Sequence, residues 1–186
     1  MSLILASNSP RRKELLSLIT TDFTIETAKV NEGEITKTYP DETALARAEQ
    51  KCMAVAKKHL DDVTIGCDTV VELNGEMLGK PTDEDMARKM LQSLSGTRHM
   101  VHTGVYIFSR KCSTGFVKTS IVDFAKIRGE EIEKYIKTAE PYDKAGGYGI
   151  QGWAAKFICH IDGCYYNIMG LPVEAVYSAL NAVMEK

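Results

Sequence analysis

The chain has 186 residues and a formal net charge of -2, long enough for one large domain or two small lobes around a real core. It has no global basic field to draw it to nucleic acid or an anionic membrane, so any phosphate affinity must be local. No apolar run approaches the roughly 20 residues of a bilayer span, and Met1 leads straight into Leu3-Ile4-Leu5 without a signal-peptide layout; a cytoplasmic protein that binds neither nucleic acid nor membrane is expected.

Residues 3–6 read as a short buried strand, after which apolar spacing at Leu15, Leu18 and Ile19 takes on a helical period. Ser9 suits an N-cap and Pro10 the first helical position, where a missing N–H costs nothing. Arg11 and Arg12 then fall in the first turn, where cations oppose the helix dipole unless an anion is to be bound. Free backbone N–H groups, the hydroxyls of Ser7 and Ser9, and two guanidinium groups form a phosphate-binding arrangement. The plainer alternative is a surface helix start with two solvated arginines.

A short strand is expected over 23–27, followed by an acidic loop, Asn31-Glu32-Gly33-Glu34. Pro40 and Asp41 open a long helix with Leu45, Ala48, Cys52 and Val55 on its apolar face. Arg47 and Lys51, four apart, share a neighbouring face and can point together at one anion. Residues 63–71 form a strongly β-forming run with a lone acid, Asp68, in its middle. A buried carboxylate is costly unless it is paired, hydrogen-bonded or on a metal, so Asp68 is a site candidate, with a structural ion pair as the alternative.

Asn74-Gly75 predicts a type I′ hairpin that returns the chain through Met77 and Leu78, bringing Lys80 near the level of Asp68. Thr82 is placed as the cap of a helix carrying Met86, Met90, Leu91 and Leu94, ended by Gly96. Alternation over 99–109 and a second β run over 115–127 predict an antiparallel pair, followed by a short amphipathic helix over 130–138. Residues 140–152 hold four glycines with acid, lysine, tyrosine and glutamine, a loop whose backbone can approach a ligand closely. A closing hairpin is expected from 157–162 and 164–169, and a last helix from Pro172, docked through Val173, Val176, Tyr177, Leu180, Val183 and Met184. The fold class is α/β, with a mixed, twisted sheet flanked by helices. Five cysteines without a repeated close pair fit reduced thiols, and Cys159, His160 and Cys164 match no common zinc spacing.

By charge, Arg11, Arg12, Lys51 and Lys80 stand against Asp68 and Glu32, and a triphosphate needs both kinds. Its charges need cationic clamps, while one or two carboxylates can hold Mg²⁺ against phosphate oxygens. There is no P-loop and no Gly-x-Gly-x-x-Gly fingerprint. The residues themselves support a phosphate site using a divalent metal and leave open which phosphorus is attacked.

Six blocks in order carry a resemblance: Ala6-Ser7-x-Ser9-Pro10-Arg11-Arg12, Asp68-Thr69-x-Val71, Gly79-Lys80-Pro81, Ser95-Gly96-x-x-His99-x-Val101-x-Thr103-Gly104-Val105, the run from Glu140-Pro141 to Gln151-Gly152, and Asn167-x-x-Gly170-Leu171-Pro172. Together they resemble the Maf nucleotide pyrophosphatases. The resemblance implies one domain over 1–186, two lobes around a central cleft, and hydrolysis of a nucleoside triphosphate to monophosphate and pyrophosphate. Within the family, the Asp68-Thr69 pair and the Tyr148-Gly149-Ile150-Gln151-Gly152 version are similar to the dTTP/UTP branch, with CTP or modified pyrimidine nucleotides as further candidates.

The same resemblance implies Asp68 as general base or metal-held acid, Ser7, Arg11, Arg12, Lys51, Thr69, Lys80 and Gln151 at the substrate, and Asp68 with Glu32 on Mg²⁺ or Mn²⁺. Asn31 departs from the Asp that family members often carry there. The competing class is a nucleotide-binding regulator of cell division without turnover, which would not need Asp68 or its lysines. A homodimer is a further open expectation.

Overall fold

The computed structural model describes residues 2–31, 33 and 35–185; Glu32, expected at the metal, lies outside them. In chain order the elements are β1 (Leu3–Leu5), α1 (Pro10–Leu16), β2 (Thr24–Ile25), α2 (Pro40–Ala56), β3 (Val63–Leu73), β4 (Glu76–Leu78) and α3 (Glu84–Leu94). There follow β5 (Arg98–Phe108), β6 (Ser113–Phe124), α4 (Gly129–Ile136), β7 (Ile158–Asp162), α5 (Tyr165–Met169) and α6 (Val173–Met184). Short 3-10 turns at Pro141–Asp143, Ala145–Gly147 and Trp153–Phe157 fill the segment between α4 and β7.

One mixed sheet runs β2-β1-β3-β5-β6-β7, with β4 also paired to β3. β1 lies parallel to β2 and β3, and β3, β5, β6 and β7 pair antiparallel in sequence. The site follows from what happens along one edge of β3. β1 covers that edge at Val63, Thr64 and Ile65, and β4 covers it at Val71, Glu72 and Leu73. Between them the edge is open, and Asp68 and Thr69 sit in the break. The chain leaving β1 and the chain leaving β4 both run into it, so Ser7–Arg12 and Gly79–Lys80 border the same gap. The β3–β4 turn forms as its sequence predicts: Asn74 and Gly75 have φ of 54° and 85°, the type I′ signature.

The hydrophobic core is divided in the same way. Leu5, Leu16, Ile65, Ile107, Leu171 and Val176 pack as one cluster, and Val71, Leu91, Val101, Phe124, Tyr135 and Phe157 as another. Helix α2 lies directly on the sheet because Gly66 and Gly104 leave it room: a Cβ at either position would collide with α2 backbone, at the Ala48 carbonyl and at Ala44.

Four details differ from the sequence reading. Residues 165–169 form helix α5, not the second arm of a hairpin. The side-chain amide of Asn167, fully buried, donates to the Val101 carbonyl and to Ser120 Oγ, and the Cys164 N–H also donates to Ser120 Oγ. These bonds draw the segment across the sheet, and Gly170, at φ 109°, ends the turn in the left-handed region. Asp83, not Thr82, caps α3, accepting from Met86 N–H at 2.8 Å, while the Thr82 hydroxyl donates to Asp83. In α6, Val176, Leu180 and Val183 are buried, but Tyr177 and Met184 stand in solvent. Helix α1 ends at Leu16, which leaves Leu18 exposed.

Candidate active site

A cleft of about 970 Å³ opens at the break in the sheet and is lined by Ser7, Arg11, Arg12, Lys51, Asp68, Thr69, Lys80 and Gln151 among others. All the site residues expected from sequence and described here therefore reach one cavity, of a size that holds a nucleotide.

Ser9 caps α1 as expected, its hydroxyl 3.5 Å from the Arg12 N–H, with Pro10 at the first helical position. The two arginines that follow diverge. Arg12 folds inward: Nε donates to the Gly170 carbonyl at 2.9 Å, one terminal nitrogen to Ser7 Oγ at 3.3 Å and the other to Thr69 Oγ1 at 3.2 Å. Thr69 continues to Thr103 at 3.0 Å, and Thr103 donates to the Asn167 carbonyl. Arg12 thus ties α1, β3 and the turn after α5 together, while it still lines the cleft. Arg11 instead reaches across the opening, 3.3 Å from Asp143 Oδ2 on the facing loop.

Asp68 is 5% exposed. Its Oδ1 is 2.6 Å from Lys51 Nζ, and its Oδ2 is 4.0 Å from the Arg47 guanidinium. Arg47 is itself held by a 2.9 Å bond from Nε to the Ile35 carbonyl. The pair that α2 points at one anion meets, in the protein itself, the carboxylate of β3. Asp68 Oδ2 is buried and has no hydrogen-bond partner among the described residues. An ionised oxygen left so is expensive, and a hard oxygen donor on a cleft floor suits a divalent cation that keeps most of its ligands as water and phosphate oxygen. The chemistry of Asp68 Oδ2 therefore fits a divalent cation.

The far wall is the 140–152 segment. Gly146 N–H bonds to the Gly79 carbonyl at 3.0 Å, which joins this wall to the strand leading to Lys80. Lys80 and Gln151 are exposed within the cleft. Lys144 also lines it, its Nζ on Asp143 Oδ1 and on the Glu140 carbonyl at 2.8 Å. Burial works against the Asp143 carboxylate, but the Lys144 hydrogen bond and the Lys144 and Arg11 charges outweigh it and hold the group below its usual range. Tyr148 OH bonds to His99 Nε2 at 2.7 Å in the core, and burial pushes the His99 imidazole down to about 4.

Arg47 and Lys144 are cleft cations that the sequence reading left out of the site. The i, i+4 spacing to Lys51 marked Arg47, and the glycine-rich composition around Lys144 marked its loop, but its place in the cleft depends on how that loop packs from far along the chain.

The fold is shared with solved structures. The Staphylococcus aureus Ham1 protein superposes with a TM-score of 0.57 at 18% identity over 100% of both chains, and a HAM1 protein from Coxiella burnetii with 0.54 at 15%, over 97% of this chain and 98% of the other. Sequence gives the closer kinship: the chain belongs to the Maf family, and the family model, described as Maf-like protein, matches residues 2–183. A relative from Carboxydothermus hydrogenoformans, named dTTP/UTP pyrophosphatase, is 46% identical over 97% of each chain. One of the same name from Bacillus cytotoxicus is 45% identical over 91% of this chain and 89% of its own.

Proposed function

We propose that this protein hydrolyses dTTP and UTP, with CTP or modified pyrimidine nucleotides as further substrates, to the monophosphate and pyrophosphate. Such an activity clears nucleotides from the cytoplasmic pool. The observation that carries the reading is Asp68: a buried carboxylate with Lys51 on one oxygen and no hydrogen-bond partner for the other among the described residues, at the floor of a cleft ringed by cations. The names of the relatives supply the substrate class.

The reaction forms a bond between water oxygen and the α-phosphorus and breaks the α–β bridge, so pyrophosphate leaves with the bridging oxygen. Asp68 Oδ2 is the atom free to accept the water proton or to hold Mg²⁺ or Mn²⁺; when bound, the metal stabilises charge on the phosphate oxygens. Lys51 and Lys80 neutralise the triphosphate. Arg11 and Ser7 contact it from the α1 side, where Arg12 holds Ser7 and Thr69 in place. Gln151 and Thr69 face the base. We treat residues 1–186 as one catalytic domain, which the length of the family match and the continuous sheet support; pairing into a homodimer is part of the same proposal. A panel of nucleoside triphosphates with Mg²⁺, resolving pyrophosphate from orthophosphate, tests the reading. Pyrophosphate from UTP and dTTP is the expected product, and orthophosphate with a diphosphate would overturn it.

A further inference from the structure

The loop that carries Gln151 is closed by a Gly152 N–H to Gly149 carbonyl bond of 3.2 Å and packs onto what lies beneath it. A Cβ on Gly152 would overlap the Glu140 carboxylate, and a Cβ on Gly149 would stand 2.7 Å from Lys144 Cε and 3.2 Å from Glu140 Oε1. Both glycines therefore close down on Glu140 and on the stem of Lys144. Glu140 is also hydrogen-bonded at both oxygens: Oε2 accepts the Trp153 N–H at 2.9 Å and Oε1 accepts the Tyr135 hydroxyl at 3.1 Å. Its own carbonyl accepts Lys144 Nζ. Tyr135 is fully buried in the core and stacks on Trp153, with ring centroids 5.4 Å apart and planes 5° from parallel. At the other end of the loop Tyr148 is fastened to His99. Ile150, next to Gln151, is buried in the core, and Glu140 lies against both Gly149 and Gly152 on either side of the Ile150-Gln151 pair.

We infer that Glu140 is a positioning residue for base selection: its carboxylate moulds the Gly149–Gly152 turn from beneath and so fixes where Gln151 presents its amide. The inference rests on the proposed reading of the cleft as a pyrimidine nucleotide site. It gives Glu140 a task that needs its shape and a hydrogen bond at each of its two terminal atoms, but not its charge. A glutamine can reproduce that task, since its oxygen can accept the Trp153 N–H while its amide nitrogen donates to the Tyr135 oxygen. An alanine cannot, and it leaves the turn unsupported.

The test compares wild type, Glu140→Gln and Glu140→Ala for kcat/KM with UTP and GTP, at a temperature where all three are folded by circular dichroism. Trp153, the single tryptophan of the chain, reports the turn by its emission. Inhibition by added pyrophosphate reports the phosphate end. Glu140→Ala is expected to shift Trp153 emission to the red and cut the UTP to GTP preference by about tenfold, while pyrophosphate inhibition stays within about twofold. Glu140→Gln is expected to restore both readouts. An alanine variant that keeps its preference and loses only melting temperature would overturn the inference. So would a glutamine variant as impaired as alanine, because the charge would then act on the substrate directly. If the wild type splits no nucleoside triphosphate, the reading of the site itself fails; if it splits UTP and Glu140→Ala discriminates normally, only the role of Glu140 fails.

Discussion

Lys51 Nζ lies 2.6 Å from Asp68 Oδ1 although the two residues belong to different layers, one on α2 and one on β3. The approach is set by Gly66 and Gly104, over which α2 backbone passes too closely for any Cβ. Gly104→Ala must therefore push α2 off the sheet. Overpacking of this kind costs about 3 kcal/mol, which for a chain of this size lowers the melting temperature by roughly 6–12 °C. Turnover per folded molecule should fall with it, as Lys51 leaves Asp68. A thermal melt and a UTP assay at low temperature check both; an unchanged melt would contradict the packing account.

Arg12 is expected to show a mixed phenotype. Arg12→Ala strips the Gly170 carbonyl, Ser7 and Thr69 of a shared donor, and buried groups left unpaired cost about 1–3 kcal/mol. The melting temperature should drop by roughly 2–12 °C, and Arg12→Lys should rescue little of it because an ammonium cannot span the three acceptors. A variant with raised KM and an unaltered melt would place Arg12 on substrate alone.

His99 gives stability a pH dependence with a definite sign. Burial lowers its imidazole from 6.5 to about 4, so below 6.5 the unfolded chain takes up a proton that the folded chain refuses. The contribution is complete above pH 6.5 and is lost as pH falls towards 4, by up to about 3 kcal/mol. His99→Gln keeps a hydrogen-bonding partner for Tyr148 and does not titrate. Denaturant melts between pH 7 and 4.5 should show a shallower decline for the variant, and parallel curves would remove His99 from the account.

Gln151 offers one donor and one acceptor, the complement of the ring N–H and carbonyl of uracil and thymine. Gln151→Glu can only accept, and facing the carbonyl it should lower kcat/KM for UTP by about ten- to a hundredfold. A change in the UTP to GTP ratio of less than about threefold would show that Gln151 does not read the base.

Local chemistry made the outline of this site legible. Ser9 and Pro10 announced the turn into α1, Asn74-Gly75 fixed the hairpin that sets Lys80, and a lone acid in an apolar strand marked Asp68. What sequence reading missed depends on contacts far apart in the chain. The Asp162-Gly163 turn signal points to a hairpin with its second arm over 164–169, whereas Asn167 is captured by Val101 and Ser120, 66 and 47 positions away. Arg11 and Arg12 are identical neighbours in composition, yet Gly170 claims one and Asp143 the other. Lys144 and Glu140 gain their places only once the glycines of their own loop fold over them.

Phosphorus NMR of UTP hydrolysis with Mg²⁺, with wild type and Asp68→Asn run in parallel, tests most directly whether Asp68 drives cleavage between the α- and β-phosphates. UMP and pyrophosphate are expected from the wild type, and a rate lower by about a hundredfold or more from the variant. UDP with orthophosphate as first products, or an Asp68→Asn rate within about threefold of wild type, would contradict it.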